Sequence, residues 1–239
     1  MPLAVELRGV TFAYDGGPPV LRDVDLAIAE GEFVAIAGPN GGGKTTLLRV
    51  VLGLERPQAG EAFLYGEPAQ RYSRRAELGY LPQRAHLGVD APVTVREVVT
   101  AGRLPAGRLF GPLRSEDREL VGRAIADVGL TEHAERPLRS LSGGQQQRAF
   151  IAKALAAGPR ILLFDEPTAG VDADAQEALA ALLARLHLER GVTVLYVSHE
   201  FGAVEHVVER LVLVRGGIVF DGPPGDLPDM WHDPSHSHA

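Results

Sequence analysis

A run of glycines closing on a lysine and a threonine, Gly38-Pro39-Asn40-Gly41-Gly42-Gly43-Lys44-Thr45, has the residue types and spacing that polyphosphate chemistry needs. Glycines let successive backbone N–H groups converge on an anion, and the N-terminus of the helix that follows adds the positive end of its dipole. Lys44 is placed to reach the β- and γ-phosphates, and the Thr45 hydroxyl is a ligand for Mg²⁺. The run follows a strand-like stretch and precedes the apolar helical stretch 46–54, which is the context this cradle requires.

A second chemical feature ends the apolar run Ile161-Leu162-Leu163-Phe164-Asp165-Glu166. Asp165 leaves the strand where a phosphate-transferring enzyme holds its metal. Adjacent strand residues face opposite ways, so Glu166 needs a turn of the backbone to share that site. Pro167 cannot continue a ladder and is expected to push Glu166 into an extended conformation, freeing its carboxylate to orient, or take a proton from, an attacking water. A third feature is Leu141-Ser142-Gly143-Gly144-Gln145-Gln146-Gln147-Arg148. Ser142 reads as a helix N-cap with Gln145 at the third helical position, and Gly143 and Gly144 let an anion approach the first-turn N–H groups. This is a second phosphate cradle. One nucleotide meets two cradles from opposite sides only when another chain supplies one of them, so the pair predicts a sandwich dimer.

The elements that must position these residues alternate between strand and helix, which predicts an α/β fold with a parallel sheet. Strands are expected at 32–37, 78–81, 161–164 and 192–197, with a hairpin of 211–214 and 218–220 around Arg215-Gly216-Gly217. Between about 84 and 157 the sequence suggests helices instead. Thr94 and Glu97 form a capping box with Gly102 closing that helix, and Ser115 and Gly129 bracket another. This stretch reads as a helical subdomain inserted in the core, and about 228–239 as a loose tail. A chain of 239 residues suits one such domain, since single cores stop growing near ~250 to 300 residues.

Composition narrows the classes further. Hydrophobic residues at 45% and charged residues at 23% are those of a globular protein rather than a disordered one. With no cysteine, neither a disulfide framework nor a cysteine-bound zinc is available. Apolar runs such as 33–37 and 161–164 fall far short of the ~20 residues of a membrane helix, and Glu6 and Arg8 break up the first apolar residues as no signal peptide would. A formal net charge of −7 argues against a nucleic-acid surface, so no nucleic acid is expected as a partner.

Taken in order, the glycine loop, Leu-Ser-Gly-Gly-Gln-Gln-Gln-Arg and Ile-Leu-Leu-Phe-Asp-Glu resemble the nucleotide-binding subunits of ABC transporters over almost the whole chain. The resemblance implies a P-loop NTPase core, an inserted helical subdomain and an N-terminal antiparallel β portion. It implies ATP and Mg²⁺ as ligands, held by Gly38 to Thr46 with Thr45 and Asp165 on the metal. Tyr14 then matches the aromatic that stacks on adenine, and Gln83, in Gly-Tyr-Leu-Pro-Gln, the glutamine that touches Mg²⁺ and links core to helices. Glu166 matches the base, His199 the switch histidine at the γ-phosphate, and Asp172 the acidic residue crossing the dimer interface. Ser142, Gly143, Gly144 and Gln145 match the signature that a second copy presents to the nucleotide.

Without membrane spans of its own, such a subunit works with separate transmembrane permease subunits, and indirectly with a substrate-binding protein, at the cytoplasmic face of the membrane. Glu-Pro-Thr-Ala-Gly-Val-Asp and Val-Phe-Asp-Gly-Pro-Pro resemble the zinc and manganese importers in particular, while Thr-Val-Arg-Glu-Val-Val is shared with ferric-siderophore and haem importers. His232, His236 and His238 in the tail are weak ligands for a divalent transition metal. Two rivals fit less well. A non-transport ABC ATPase acting on nucleic acid usually carries paired domains, zinc modules or coiled coils, and a P-loop kinase leaves Gln83 and the Ser142 segment without a purpose.

Overall fold

The computed structural model describes residues 2–83, 92–106, 114–167, 173–198, 204 and 207–227. Along the chain come β1 (Leu3–Phe12), β2 (Leu21–Ala29), β3 (Phe33–Ala37), α1 (Lys44–Val51), β4 (Ala59–Leu64), β5 (Glu67–Pro68) and β6 (Leu78–Leu81). They are followed by α2 (Val95–Thr100), α3 (Ser115–Asp127), α4 (Gly143–Ala156), β7 (Ile161–Asp165), α5 (Ala173–Arg190), β8 (Thr193–Val197), β9 (Arg210–Val214) and β10 (Ile218–Gly222). The mix is the α/β fold expected. Two compact units divide it: Met1–Ser73 with Ala184–Ala239, and Arg74–Leu183.

The first unit holds an antiparallel sheet in the order β2-β1-β4-β5. β1 alternates well enough to bury Val5, Leu7, Val10 and Phe12, and its pairing with β2 shifts between Leu7 and Val10. At that irregularity the Gly9 N–H, which has no ladder partner to rely on, donates to Asp25 Oδ1 at 2.8 Å. In the same unit β3 lies parallel to both β8 and β9, with Phe33 opposite Val194 and Ala37 opposite Leu213, and β10 returns antiparallel on β9. Every residue of β3 and β8 is buried, which is why both read as unbroken apolar runs rather than as alternating ones. Arg210 ties this part together. Its guanidinium grips Asp221 of β10 at 2.5 and 2.7 Å and also donates to the Ala27 carbonyl and Glu32, and the Asp221 carboxylate raises its pKa above the usual arginine value.

The second unit pairs β6 with β7 in parallel, Gly79 opposite Leu162 and Leu81 opposite Phe164. Among the described residues from 92 to 157 there is no strand, only a single bridge between Thr94 and Pro137. α4 packs against α2 and α3 there, burying Ala149, Ile151, Ala152 and Leu155 with Val95, Val99, Val121 and Ile125. The Thr94 capping box forms as expected, and the Thr94 backbone N–H holds the Glu97 carboxyl below its ordinary pKa. Arg103 anchors to Asp117 at 2.7 Å and to the Ala156 carbonyl at 3.1 Å, and its hydrogen bond lowers the Asp117 pKa.

Several expectations shift. Strands 32–37 and 192–197 begin one residue later, and the helix expected over 46–54 starts at Lys44 and ends at Val51. Ser115 is the first helical residue of α3 rather than its cap, a position taken by Arg114. Gly102 does not end α2. The chain runs on as a 3-10 turn over Ala101–Ala106, and Gly102 is glycine because a Cβ there would stand 2.0 Å from the Lys153 carbonyl oxygen of α4. Close approach of two backbones, not helix termination, fixes the residue type. Among the described residues no helix is long and apolar enough to cross a membrane.

Candidate functional site

β3 delivers the chain into the glycine loop, and α1 takes it out. The loop is shaped by its neighbour as much as by its own sequence. A Cβ on Gly38, at φ +140, would stand 2.0 Å from the Val214 carbonyl oxygen at the end of β9, and one on Gly42 would meet the same oxygen at 2.8 Å. The Gly42 carbonyl accepts from Gly216 N at 2.9 Å, so the β9–β10 turn props the loop from one side. Gly38→Ala therefore forces two backbones apart, and we expect a loss of about 3 kcal/mol in stability, read as a Tm lower by roughly 6–12 °C. A melt within a degree or two of wild type would remove Val214 from this role.

α1 begins at Lys44 with Gly43 as its N-cap, φ +102, and no side chain caps it. Its first-turn N–H groups have no acceptor within the helix and converge where the loop opens. Gly41 faces open space, with no atom within 4 Å of where a Cβ would lie. Convergent donors beside open space suit phosphate oxygens. Lys44 is 5% exposed, and its ammonium donates to the Gly38 and Pro39 carbonyls at 2.7 and 3.1 Å, so the cation is already held inside the loop. Asn40 stands exposed on the loop, Thr45 is half-buried and Thr46 is buried.

Tyr14 is 43% exposed, high for an aromatic ring, yet it is fixed. Phe12 meets it edge-to-face, centroids 4.9 Å apart, and its hydroxyl lies 3.2 Å from Thr46 Oγ1 in a shared hydrogen bond. An exposed flat face held in place is a platform for stacking. The sequence reading missed the link to Thr46, because 32 residues separate the two and only the fold joins them.

In the second unit β7 ends on Asp165, 1% exposed, and the Tyr80 hydroxyl of β6 donates to its Oδ2 at 3.4 Å. Tyr80 is another residue the sequence reading passed over. Its only signal is the spacing of three from Gln83 on the strand beside β7. Glu166 corrects an expectation: rather than extended, it sits at φ +49, one of three described non-glycine residues with positive φ. The turn needed to bring Glu166 away from the strand is made at Glu166 itself, a conformation that costs about 1–3 kcal/mol for such a residue and marks a position held by its surroundings. Part of that hold is visible: Gln83 Nε2 donates to Glu166 Oε2. With its amide nitrogen so engaged, Gln83 keeps its carbonyl oxygen as an acceptor. That oxygen and the Asp165 carboxylate, like the Thr45 hydroxyl of the first unit, are hard oxygen donors of the kind Mg²⁺ takes, so the chemistry of each residue fits the metal.

Ser142 caps α4 as expected. Its hydroxyl oxygen accepts from Gln145 N at 3.3 Å, Gln145 Oε1 accepts from Ser142 N at 3.0 Å, and Gln146 Nε2 donates to the Leu141 carbonyl at 3.1 Å. The two amide side chains lock the loop, while Ser142 and Gly143 stay exposed and space beside Gly143 is open. The geometry is that of a second anion cradle, displayed outward. Asp172, His199 and the histidines of the tail lie outside the described residues.

Three comparisons with known proteins bear on this geometry. The family model described as "ABC transporter" matches residues 21–169. The zinc uptake system ATP-binding protein ZurA of Listeria monocytogenes is 36% identical over 93% of this chain and 86% of its own length. The manganese transport system ATP-binding protein MntB of Bacillus subtilis is 39% identical over 92% and 86%. The ferric enterobactin transport ATP-binding protein FepC of Escherichia coli is 39% identical over 92% and 83%. Among solved structures, a dimeric post-hydrolysis state of an ATP-binding cassette bound to ADP and Pi superposes with a TM-score of 0.78 at 32% identity, over 92% of this chain and 98% of that one.

Proposed function

Because the chain belongs to the ABC transporter family and is one of its ATP-hydrolysing members, we propose that it powers an importer for a divalent transition metal, zinc or manganese, by closing as a pair of copies around ATP. The zinc and manganese systems of ZurA and MntB, aligned over more than nine-tenths of this chain, support the cargo. The 39% identity to a ferric enterobactin system supports a second reading, import of chelated iron. In either case the chain acts with separate permease subunits, at the cytoplasmic face of the membrane, and a substrate-binding protein selects the cargo.

The observation that carries the hydrolytic mechanism is the Gln83–Glu166 hydrogen bond beside buried Asp165. Tyr14 offers its ring to the adenine, and residues 38–46 gather the phosphates, with Lys44 turning from the Gly38 and Pro39 carbonyls to the β- and γ-oxygens. Mg²⁺, when bound, neutralises charge on those oxygens. Gln83 holds one oxygen of Glu166, and the other orients a water in line with the γ-phosphorus. The water oxygen attacks as the bond to the β–γ bridging oxygen breaks, Glu166 takes the water proton, and ADP and phosphate result. Ser142, Gly143 and Gly144 of a second copy, with Gln145 locking their loop, complete the charge stabilisation from the far side. His199 and Asp172 take the γ-phosphate and interface roles that the resemblance gives them.

Cargo is tested in the cell. Deleting the gene is expected to lower cellular zinc or manganese and to impose a growth requirement for that metal, with siderophore and haem uptake unchanged. Loss of siderophore or haem uptake with zinc and manganese intact would overturn the metal-ion reading and install the chelated-iron one.

A further inference from the structure

Against one side of the glycine loop lies an open cleft of about 530 Å³, walled on one side by residues 39–42 of the loop itself and on the other by Pro19, Arg22, Arg215 and Gly216, which the nucleotide reading does not use. Tyr14, Lys44, Thr45 and Thr46 do not line it, so it opens on the outside of the loop rather than within the cradle. Among the described residues no carboxylate lines it, although the chain carries a formal net charge of −7. Arg8, Arg96, Arg103, Arg160 and Arg210 each pair with a carboxylate. Among the described residues the guanidinium groups of Arg22 and Arg215 have no such partner. Two like charges directed at one acid-free cleft make a local positive field, which is an arrangement that an anion relieves.

The backbone of this wall is fixed to the loop while the two side-chain heads are not. Arg22 N donates to the Gly216 carbonyl at 2.7 Å, Gly216 N to the Gly42 carbonyl at 2.9 Å, and Arg215 N to the Gly217 carbonyl at 2.8 Å. Planar guanidinium forks with the exposed Asn40 amide beside them suit a tetrahedral oxyanion, which accepts several donors at once. We propose that this cleft is a second oxyanion site, in which Arg22 and Arg215 hold inorganic phosphate while a nucleoside diphosphate still occupies the glycine loop. The inference rests on the proposed function in one respect, that the loop holds the nucleotide. Phosphate freed by hydrolysis then has a cationic station next to the loop, and its occupancy sets how strongly added phosphate slows turnover.

The probe is inorganic phosphate, titrated by calorimetry into the full chain saturated with MgADP and, separately, without nucleotide. Wild type is expected to bind phosphate in both, more weakly as ionic strength rises. The R22Q/R215Q variant is expected to bind it about tenfold more weakly or worse, since two charge-assisted contacts are gone, with ADP affinity unchanged. Its ATPase activity should be correspondingly less inhibited by added phosphate. Equal phosphate affinity in wild type and variant, or a parallel loss of ADP affinity, would overturn the proposal. A carboxylate from a second copy is the other source of the same chemistry. If R22E/R215E alters ATP-dependent dimerisation while R22Q/R215Q leaves phosphate binding as in wild type, the cleft belongs to that contact and the phosphate assignment falls. Should wild type fail to bind ADP, the nucleotide reading fails on its own, and equal phosphate affinity of wild type and R22Q/R215Q without nucleotide would still overturn the cleft site.

Discussion

Glu166→Gln is expected to bind ATP with near-normal affinity and to lose turnover by about 10²–10⁴-fold, accumulating a closed dimer in MgATP. The substitution is close to isosteric, so the positive φ at this position is no more strained than before, and Gln83 Nε2 finds an amide oxygen where it found a carboxylate oxygen. What disappears is the group that takes the water proton. Positioning of the phosphates by the loop is untouched, which is why binding survives while chemistry does not. The measurement is single-turnover hydrolysis beside nucleotide affinity in the same preparation, assembled with its permease. Turnover within a few-fold of wild type would remove Glu166 from the role of base, and a parallel loss of affinity would mean that its turn supports the cradle instead.

Lys44 carries the second large effect, and on binding rather than chemistry. Replacing it with alanine or with methionine should weaken ATP affinity by about 100-fold or more, because a charge-assisted contact to phosphate is worth about 1.5–3 kcal/mol and the ammonium meets two of them. The two substitutions differ in what they do to the fold. Lys44 is 5% exposed and bonds to the Gly38 and Pro39 carbonyls, so alanine leaves a void as well as two carbonyls without their donor. Methionine refills the volume and no longer confines a cation in a half-dry loop, offsetting part of that cost. We therefore expect Lys44→Met to melt between wild type and Lys44→Ala, with equal loss of affinity in the two variants. Calorimetric titration with ATP and a thermal melt of each separate the two contributions. Unchanged affinity in Lys44→Met would contradict the assignment of the loop.

How the glycine loop, Asp165 and the Ser142 cap would behave was legible in the sequence because each is a local matter. A strand, a loop of glycines and a helix start lie within a dozen residues, and capping depends on residues three apart, so short-range sterics and hydrogen bonding decide the outcome before any tertiary contact forms. The unbroken apolar runs of β3, β7 and β8 likewise announce burial on both faces from composition alone. What only the tertiary structure decided involves partners far apart in the chain. Gly38 is held by Val214, Tyr14 by Thr46, Asp165 by Tyr80 and Glu166 by Gln83. The most instructive case is Glu166: the proline that follows it favours an extended backbone, and the local preference is overridden by about 1–3 kcal/mol of surrounding interactions that settle it at φ +49. Gly102 teaches the same lesson from the other side, since its sequence position suggests a helix stop while the 2.0 Å approach of the Lys153 carbonyl shows why nothing larger fits. Sequence spacing determines which groups can act on a phosphate. The packing of distant backbones determines which way those groups point, because a preference worth about one kcal/mol per residue yields wherever several long-range contacts agree against it.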